Sequence, residues 1–597
     1  MTSFVSRKYQ LLGLIFCLLI LVSLYVARLI DVQLVKGQTY FTLADQNRMY
    51  SIVETAPRGV LLDRYDDPVV VNSKRYFLLD NPQAIFSNQQ PISREDALVK
   101  MASDPAQVVS RYERQYPWGE ALAHIIGYTG DVTAEDKEKK PDLPLNKAIG
   151  KTGLELSLEN QLQGRDGKKI YEIDARGNRQ RLVETVEPTP GSVVKTSLDP
   201  YLNEIAWQYL QPKKGAVVIS DPTNGEILAL VSSPAYDPNI FSQVSSDPAA
   251  DLSRRKMIES LALDPQQPFF NRALAGSYPP GSVFKIVTAM AGLENKAIDQ
   301  NTKVRDEGVL KVGEYEYKSW DYWNYGRVEG DISLVRAITR SNDIYFYKVA
   351  EWTGPDKIAE MARNFGLGQA PGVEIGPQAK GLVPDTSWKE KTLKERWYLG
   401  NTYHMGIGQG DLLVSPLQVA DMVGVVANRG IACKPSFLAS TPDCKDLGLK
   451  PDHVQEILTG MIGACSSGGT AYPLFELNTN RVKADADLDT NLHNNALACK
   501  TGTAEFGGAD ARGRRKTHGW LALIVEPKIG DQNIGIERQK WLEKVKAKGF
   551  PKKLVITVLV ESDDENPYPE GSKDAAPIVR KILDWIEGRA IKETQAT

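Results

Sequence analysis

The chain has 597 residues, 25% of them charged and 42% hydrophobic, with a formal net charge of -3 at pH 7. That length exceeds what one hydrophobic core serves, so at least two domains are expected. The near-neutral balance excludes a polyanion-binding surface and wholesale disorder, and nucleic acid is not an expected partner.

From Leu11 to Ala27 the run LLGLIFCLLILVSLYVA carries no charge, and Arg28, Leu29 and Ile30 extend it. The total reaches the ~20 residues that cross ~30 Å of hydrocarbon. Arg7 and Lys8 precede it and no small-residue cleavage site follows, which predicts an uncleaved single-pass anchor with a cytoplasmic N-terminus. The expected order is a tail over 1–10, a span over 11–30, and the remainder outside the cytoplasm. Residues 31–210 read as a mixed segment of short strands and helices. Within it GVLLDRYDDPVVV, Gly59 to Val71, is two β-runs around an Asp-rich turn, and 111–131 and 150–164 carry helical or loop signals.

At Lys213 the character changes. GAVVISDPTNGEILALVSS reads as a hairpin that opens a second domain over 211–590. That domain closes with the β-branched run KLVITVLVES and the helically spaced AAPIVRKILDWIEG. The fold class is α+β, with a central antiparallel sheet drawn from both ends of the domain and flanked by helices. Residues 528–552, rich in Lys and Glu, read as an exposed insertion. The five cysteines show no C-x-x-C, so neither a disulfide scaffold nor a zinc ribbon is expected. Cys433 and Cys444 can pair across a loop or stay as buried thiols, and the sequence leaves both open. The five histidines have no ligand spacing, so no metal site and no cofactor are expected.

Two short motifs occur twice. PGSVVK at Pro190 to Lys195 recurs as PGSVFK at Pro280 to Lys285, and Lys151-Thr152-Gly153 recurs as Lys500-Thr501-Gly502. A lysine can deprotonate a serine three residues earlier on a helix, whereas on a strand the two point to opposite faces. Ser192 sits in the Val- and Thr-rich SVVKTSLDP, a strand start. Ser282 precedes VFKIVTAMAGLENKAI, whose stripe of Phe284, Val287, Met290 and Leu293 predicts a helix with Ser282 and Lys285 off its core face. The pair that meets is therefore Ser282 and Lys285. A third S-x-x-K, Ser253 to Lys256, lies in a charged run and reads as a solvated face. Lys151-Thr152 lacks the earlier glycine of a P-loop, position 145 being Leu, which disfavours ATP binding. Lys500-Thr501-Gly502-Thr503 precedes the strand HGWLALIVEP, a context suited to an exposed strand that receives a ligand by β-addition. Between them stands Ser341-Asn342-Asp343, after the helical run ISLVRAIT.

In order, S-x-x-K, S-x-D and K-T-G resemble the motif set of penicillin-binding proteins and class A β-lactamases. Over nearly its whole length the chain is similar to class B penicillin-binding proteins, the monofunctional transpeptidases of peptidoglycan synthesis. GIGQGDLLVSPLQVADMV, Gly469-Thr470-Ala471 and GSKDAAPIVRKIL resemble segments of that family's catalytic domain. Asn47-Arg48, Arg58-Gly59 and Asp63-Arg64 fall at typical positions of its pedestal, where GKTGLE also has a counterpart. SNDIYFYKVA resembles the elongation subgroup more than the division subgroup. Some elongation enzymes hold zinc near this segment through His and Cys, but residues 306–330 contain neither.

The resemblance implies a peptidoglycan D,D-transpeptidase, a β-lactam target, in which Ser282 attacks the bond between two terminal D-alanines of a stem peptide. Lys285 would be its base, with Lys500 as a neighbouring cation and Ser341 and Asp343 completing the network. The backbone N–H groups of Ser282 and Thr503 would stabilise the oxyanion, Thr501 and Thr503 would hold the donor carboxylate, and Gly502 would belong to the same substrate-binding stretch. It implies residence in the bacterial cytoplasmic membrane with the catalytic domain on the periplasmic side. The implied partner is a membrane glycosyltransferase of the RodA and FtsW family within a cell-wall synthesis complex. A membrane-anchored β-lactam sensor or a β-lactamase-like hydrolase of the same fold is the alternative. The length disfavours a soluble β-lactamase, and a single span disfavours a sensor with a cytoplasmic effector.

Overall fold

The structure, a computed structural model, describes residues 2–590 apart from 85–86, 142, 144–147, 175, 243–246, 480, 483–495 and 533, and without the side chains of 2–6 and 44–47. Met1 of the expected tail and the side chain of Asn47 lie outside the described residues. The chain folds as two compact units, one of residues 1–58, 73–113 and 163–191, the other of 59–72, 114–162 and 192 onward.

The smaller unit begins with α1, Thr2–Ile30. From residue 7 to residue 30 every side chain is exposed, which in an apolar helix of this length is the surface lipid covers. Asp31 follows it, paired with Arg28 at 2.7 Å and Lys36 at 3.2 Å. A second helix, Gly37–Arg48, leads into two three-stranded sheets. One joins Met49–Glu54, Gly167–Ile173 and Arg179–Val186, and the other joins Gln89–Ile92, Val71–Leu79 and Val108–Gln115.

The larger unit is built on an antiparallel sheet of β1 (Gly215–Ser220), β2 (Ile227–Ser233), β3 (Ala498–Ala509), β4 (Arg515–Val525) and β5 (Leu554–Val560). Its order is β2-β1-β5-β4-β3. The first hairpin and the last strand are thus neighbours, as the α+β reading expects, and β3 is an edge. Alternation along the strands sends residues to two cores. Val218, Trp520, Ala522 and Leu559 face the layer containing Ile286 and Met290, whereas Val217, Leu521, Leu523 and Val558 face Ile578, Ile582 and Leu583 of the last helix.

The stretch read as an exposed insertion holds a helix, Ile536–Lys548, that buries Arg538, Trp541, Leu542 and Val545. Its charges mislead because the Arg538 guanidinium caps the last helix, donating to the carbonyls of Trp585 at 2.6 Å and Ile586 at 3.1 Å. Trp541 Nε1 donates to Asp199 at 2.9 Å. Two disulfides form, and of the two states the sequence leaves open for Cys433 and Cys444 the structure has the paired one. Cys433–Cys444 closes a short hairpin, and Cys465–Cys499 was not foreseen. The second joins the end of the helix Pro451–Ala464 to β3, one residue before Lys500. Its two cysteines are 34 residues apart, a separation that hid the pairing in the sequence. Replacing both with alanine should lower unfolding stability by about 3–4 kcal/mol through loop-closure entropy, read from denaturant midpoints. Equal midpoints for the variant and the parent would show that the bridge adds nothing.

Candidate active site

The turn Tyr278-Pro279-Pro280-Gly281 feeds a 3₁₀ turn, Gly281–Phe284, that runs into α2, Lys285–Glu294. Gly281 is left-handed at φ +55°, its N–H donates to Gly408 O at 2.8 Å, and a Cβ there would stand 3.0 Å from Thr503 O. Close approach of the turn to β3 and the backbone conformation both demand glycine. Ser282 is half-buried at the start of this turn, and Lys285 lies one turn on. The expected off-core face is corrected here, because α2 is buried on all sides from Lys285 to Leu293 and the lysine is 0% exposed. A helix buried all round has no solvent face for it.

Lys285 Nζ donates to Asp343 Oδ1 at 2.6 Å and Ser341 O at 2.8 Å, with Ser341 Oγ at 3.4 Å. No hydrogen bond joins it to Ser282 Oγ in this arrangement. Asp343 Oδ2 accepts from the backbone N–H of Trp320 at 2.8 Å, so both carboxylate oxygens are engaged. The helix α3, Leu334–Arg340, ends at Ser341, which takes a left-handed φ of +54°. A non-glycine residue there is uncommon, and the reversal lets α4, Asp343–Thr353, start at once. Asn342 caps α4 by accepting from Tyr345 N at 2.9 Å, and its amide donates to Asp306 at 2.6 Å.

Lys500, on β3, reaches the same point from the other side. Its Nζ donates to Ser341 Oγ at 2.8 Å and Thr501 O at 3.0 Å. Desolvation drives its pKa well below the ordinary lysine value and the Lys285 ammonium pushes the same way, with Asp343 opposing. Lys285 is also lowered by desolvation, against which the Asp343 carboxylate acts. Two buried lysines thus face one bonded carboxylate. Holding both protonated would leave a net buried charge, so the pair is driven to shed a proton.

Along β3, Thr501 Oγ1 lies 2.7 Å from Thr470 Oγ1, and Thr503 is exposed with its Oγ1 accepting from Gly571 N at 3.5 Å. A Cβ at Gly502 would meet Pro280 O at 3.1 Å and Val283 Cγ1 at 3.3 Å, so this residue seats the strand against the serine turn. The expected site residues Ser282, Lys285, Ser341, Asp343, Lys500, Thr501, Gly502 and Thr503 therefore come from two turns and one strand edge of the same unit. The duplicates do not join them. Lys195 pairs with Asp66 at 2.6 Å, Ser253 and Lys256 are exposed on the helix Pro248–Leu263, and Lys151 pairs with Asp136.

Several supports escaped sequence reasoning. Arg340 bonds Asp321 at 2.8 Å and Glu329 at 2.8 Å and donates to Gly468 O at 3.1 Å, which braces the Ser341 turn. These partners lie on the short helix Trp320–Tyr325 and on two separate loops, and nothing in their spacing announces them. Thr470 had a signal, the Gly469-Thr470-Ala471 segment, but no reason to be paired with Thr501. Among the described residues no three His, Cys, Asp or Glu side chains are grouped to hold a metal ion.

Residues 215–584 match the family model of the penicillin binding protein transpeptidase domain, and residues 105–196 match that of the penicillin-binding protein dimerisation domain. The chain is 30% identical over 562 residues, 84% of each chain, to the peptidoglycan D,D-transpeptidase MrdA of Escherichia coli K12. It is similar to the structure of a complex between penicillin-binding protein PBP2 and MreC from Helicobacter pylori, with a TM-score of 0.70, 25% identity, and coverage of 90% of this chain and 98% of that one. A chain from a structure described as the coordination of polymerization and crosslinking by a peptidoglycan synthase complex matches with a TM-score of 0.71 and 25% identity, covering 99% of this chain and 100% of that one.

Proposed function

Since this chain belongs to the penicillin-binding transpeptidases, we propose that Ser282 carries the acyl group in a peptidoglycan D,D-transpeptidase reaction of the class B, elongation type. The observation that carries the assignment of roles is the convergence of two buried lysines on Ser341. Ser282 Oγ attacks the carbonyl between the terminal D-alanines. The C–O bond forms, the C–N bond breaks, and the serine proton ends on the departing D-alanine amine. Lys285 in its neutral form takes that proton first, and Ser341 connects it to Lys500. An acceptor amine then attacks the ester, gives up a proton along the same path, and releases Ser282. The N–H groups of Ser282 and Thr503 serve the oxyanion, and the hydroxyls of Thr501 and Thr503 hold the donor carboxylate.

The reading includes a pedestal over 31–210 and a catalytic domain over 211–590, anchored in the bacterial cytoplasmic membrane with the catalytic part on its outer side. The cytoplasmic N-terminus rests on Arg7 and Lys8. The partner is a RodA or FtsW type glycosyltransferase that polymerises the strands to be cross-linked. The matched synthase complex, described as coordinating polymerization and crosslinking, supports this pairing. Co-purification from detergent tests it. The intact chain should retain the glycosyltransferase, and a chimera with residues 1–210 replaced by an unrelated anchor and spacer should lose it. Equal recovery with both would reject the partner role of the pedestal. The hydrolase alternative is separated by adduct lifetime. Among the described residues no second carboxylate is hydrogen-bonded to Lys285, Ser341 or Lys500 to activate water, so a penicillin adduct should persist for many turnover times of a β-lactamase, and rapid release of penicilloate would favour that alternative.

A further inference from the structure

The open edge of β3 does not run its full length. With the Gln409 side-chain amide oriented to satisfy both of its ends, its N donates to Glu505 O at 3.1 Å and its O accepts from Glu505 N at 3.0 Å. A side-chain amide thus occupies the place of one residue of an added strand. Gln409 is held there by its backbone. Gly408 and Gly410 are left-handed at φ +77° and +76°, Gly408 O accepts from Gly281 N at 2.8 Å, and Gln409 N donates to His404 O at 2.8 Å.

In an antiparallel ladder, residues whose N–H and C=O face the partner strand alternate with residues that face away. Glu505 faces away from β4, because both its polar groups meet Gln409. Its register partner Thr517 agrees, donating its N–H to Pro567 O at 3.2 Å rather than to Glu505. Counting back by two, Thr503 and Thr501 also present their backbone groups to the open edge. Thr501 O already accepts from Lys500 Nζ. Thr503 is left as the residue able to exchange both hydrogen bonds with an incoming peptide.

We propose that Gln409 is a specificity-determining residue that ends strand addition after one residue of the donor, so that the peptide pairs with Thr503 and is turned off the edge at Glu505. This rests on the proposed placement of the donor, with its carboxylate at Thr501 and its scissile carbonyl at Ser282. Its N-terminal part then lies toward Glu505. The D-alanine that forms the acyl-enzyme pairs with Thr503, and the residue two positions before it meets the Gln409 amide instead of backbone. The enzyme thereby reads the D-alanine terminus and stays indifferent to backbone pairing in the rest of the stem.

The test uses the full-length protein in detergent and synthetic thioester donors, one ending in acyl-D-alanine alone and one extended by three residues. A third carries an N-methyl group on the residue two positions before the reacting D-alanine. The wild type should acylate all three with kcat/KM values within about twofold. Gln409→Ala frees the Glu505 N–H and C=O, so the extended donor should gain roughly 3- to 10-fold over the short one, the worth of one or two hydrogen bonds. N-methylation should erase that gain, and the short donor should be unchanged, neither of which a loss of packing would produce. If Gln409→Ala fails to fold, Gln409→Glu keeps the shape while removing the donor to Glu505 O, and should shift the ratio in the same direction by less. An unchanged long-to-short ratio in a folded variant, or a wild type already sensitive to N-methylation, overturns the proposal. Failure of Ser282 to label with fluorescent penicillin would instead strike the reading of the site on which it rests.

Discussion

Ser282→Ala should abolish covalent labelling by penicillin, with a loss of at least about 10⁴-fold in acylation rate, whereas Ser192→Ala should label like the parent. Both serines precede a lysine by three residues in nearly identical hexapeptides. Their surroundings differ. Lys285 is fully buried beside Ser341 and Asp343, and Lys195 is spent on a surface pair with Asp66. The turn that carries Ser282 is also the one pressed onto the β3 edge through Gly281 and Gly502. Labelling that survives in Ser282→Ala, or vanishes in Ser192→Ala, would overturn the choice between the two motifs.

Asp343→Asn should have the next largest effect, and on two observables. The variant leaves the Lys285 ammonium without its carboxylate in a fully buried site, a change that typically costs about 3–5 kcal/mol. The acylation plateau should fall by roughly 10²–10³-fold as the network loses its geometry. The pH profile gives the sign. Desolvation lowers both lysines, and Asp343 opposes this at Lys285. Acylation by the parent should therefore rise with pH through an apparent value, shared by the coupled pair, below the ordinary lysine value of 10.5. Removing the carboxylate removes what holds Lys285 up, so in Asp343→Asn the rise should move to lower pH. Linkage runs the same way. With folded values depressed, the lysines' contribution to stability is fully present above 10.5 and is lost as pH falls through their folded values. A profile that stays in place, or moves to higher pH, would show that Asp343 does not set the proton affinity of the pair.

The parts of this molecule legible in the sequence are those that local physics dictates. An uninterrupted apolar run long enough to cross a bilayer announces the exposed helix α1. Alternation and turn chemistry announce the β1–β2 hairpin, and the β-branched run of residues 554–560 announces a buried strand. The residues that meet at the candidate site were legible as a set because three motifs occur in one order, not because any of them is informative alone. What could not be read depends on contacts far apart in the chain. The helical stripe of α2 has a definite apolar face, but nothing local says that its other sides are covered by α4 and by the helices Pro355–Asn364 and Pro451–Ala464, so the sequence places Lys285 off the core. Cys465 and Cys499 lack a spacing pattern, and Arg538 looks like a surface charge until the carbonyls of the last helix are seen around it. Arg340 and Gln409 are similar cases, polar residues whose meaning lies in the groups they reach far along the chain.

The central claim is that Ser282 holds an acyl group that an amine then takes. Intact-protein and peptide mass spectrometry on the full-length chain, incubated with a D-alanyl-D-alanine-terminated donor and no acceptor, tests it most directly. The predicted result is an adduct on the peptide containing Ser282, equal to the donor less one D-alanine, that discharges into an amide-linked product when an amine acceptor is added. An adduct on another residue, or D-alanine release that never yields the cross-linked amide, would contradict it.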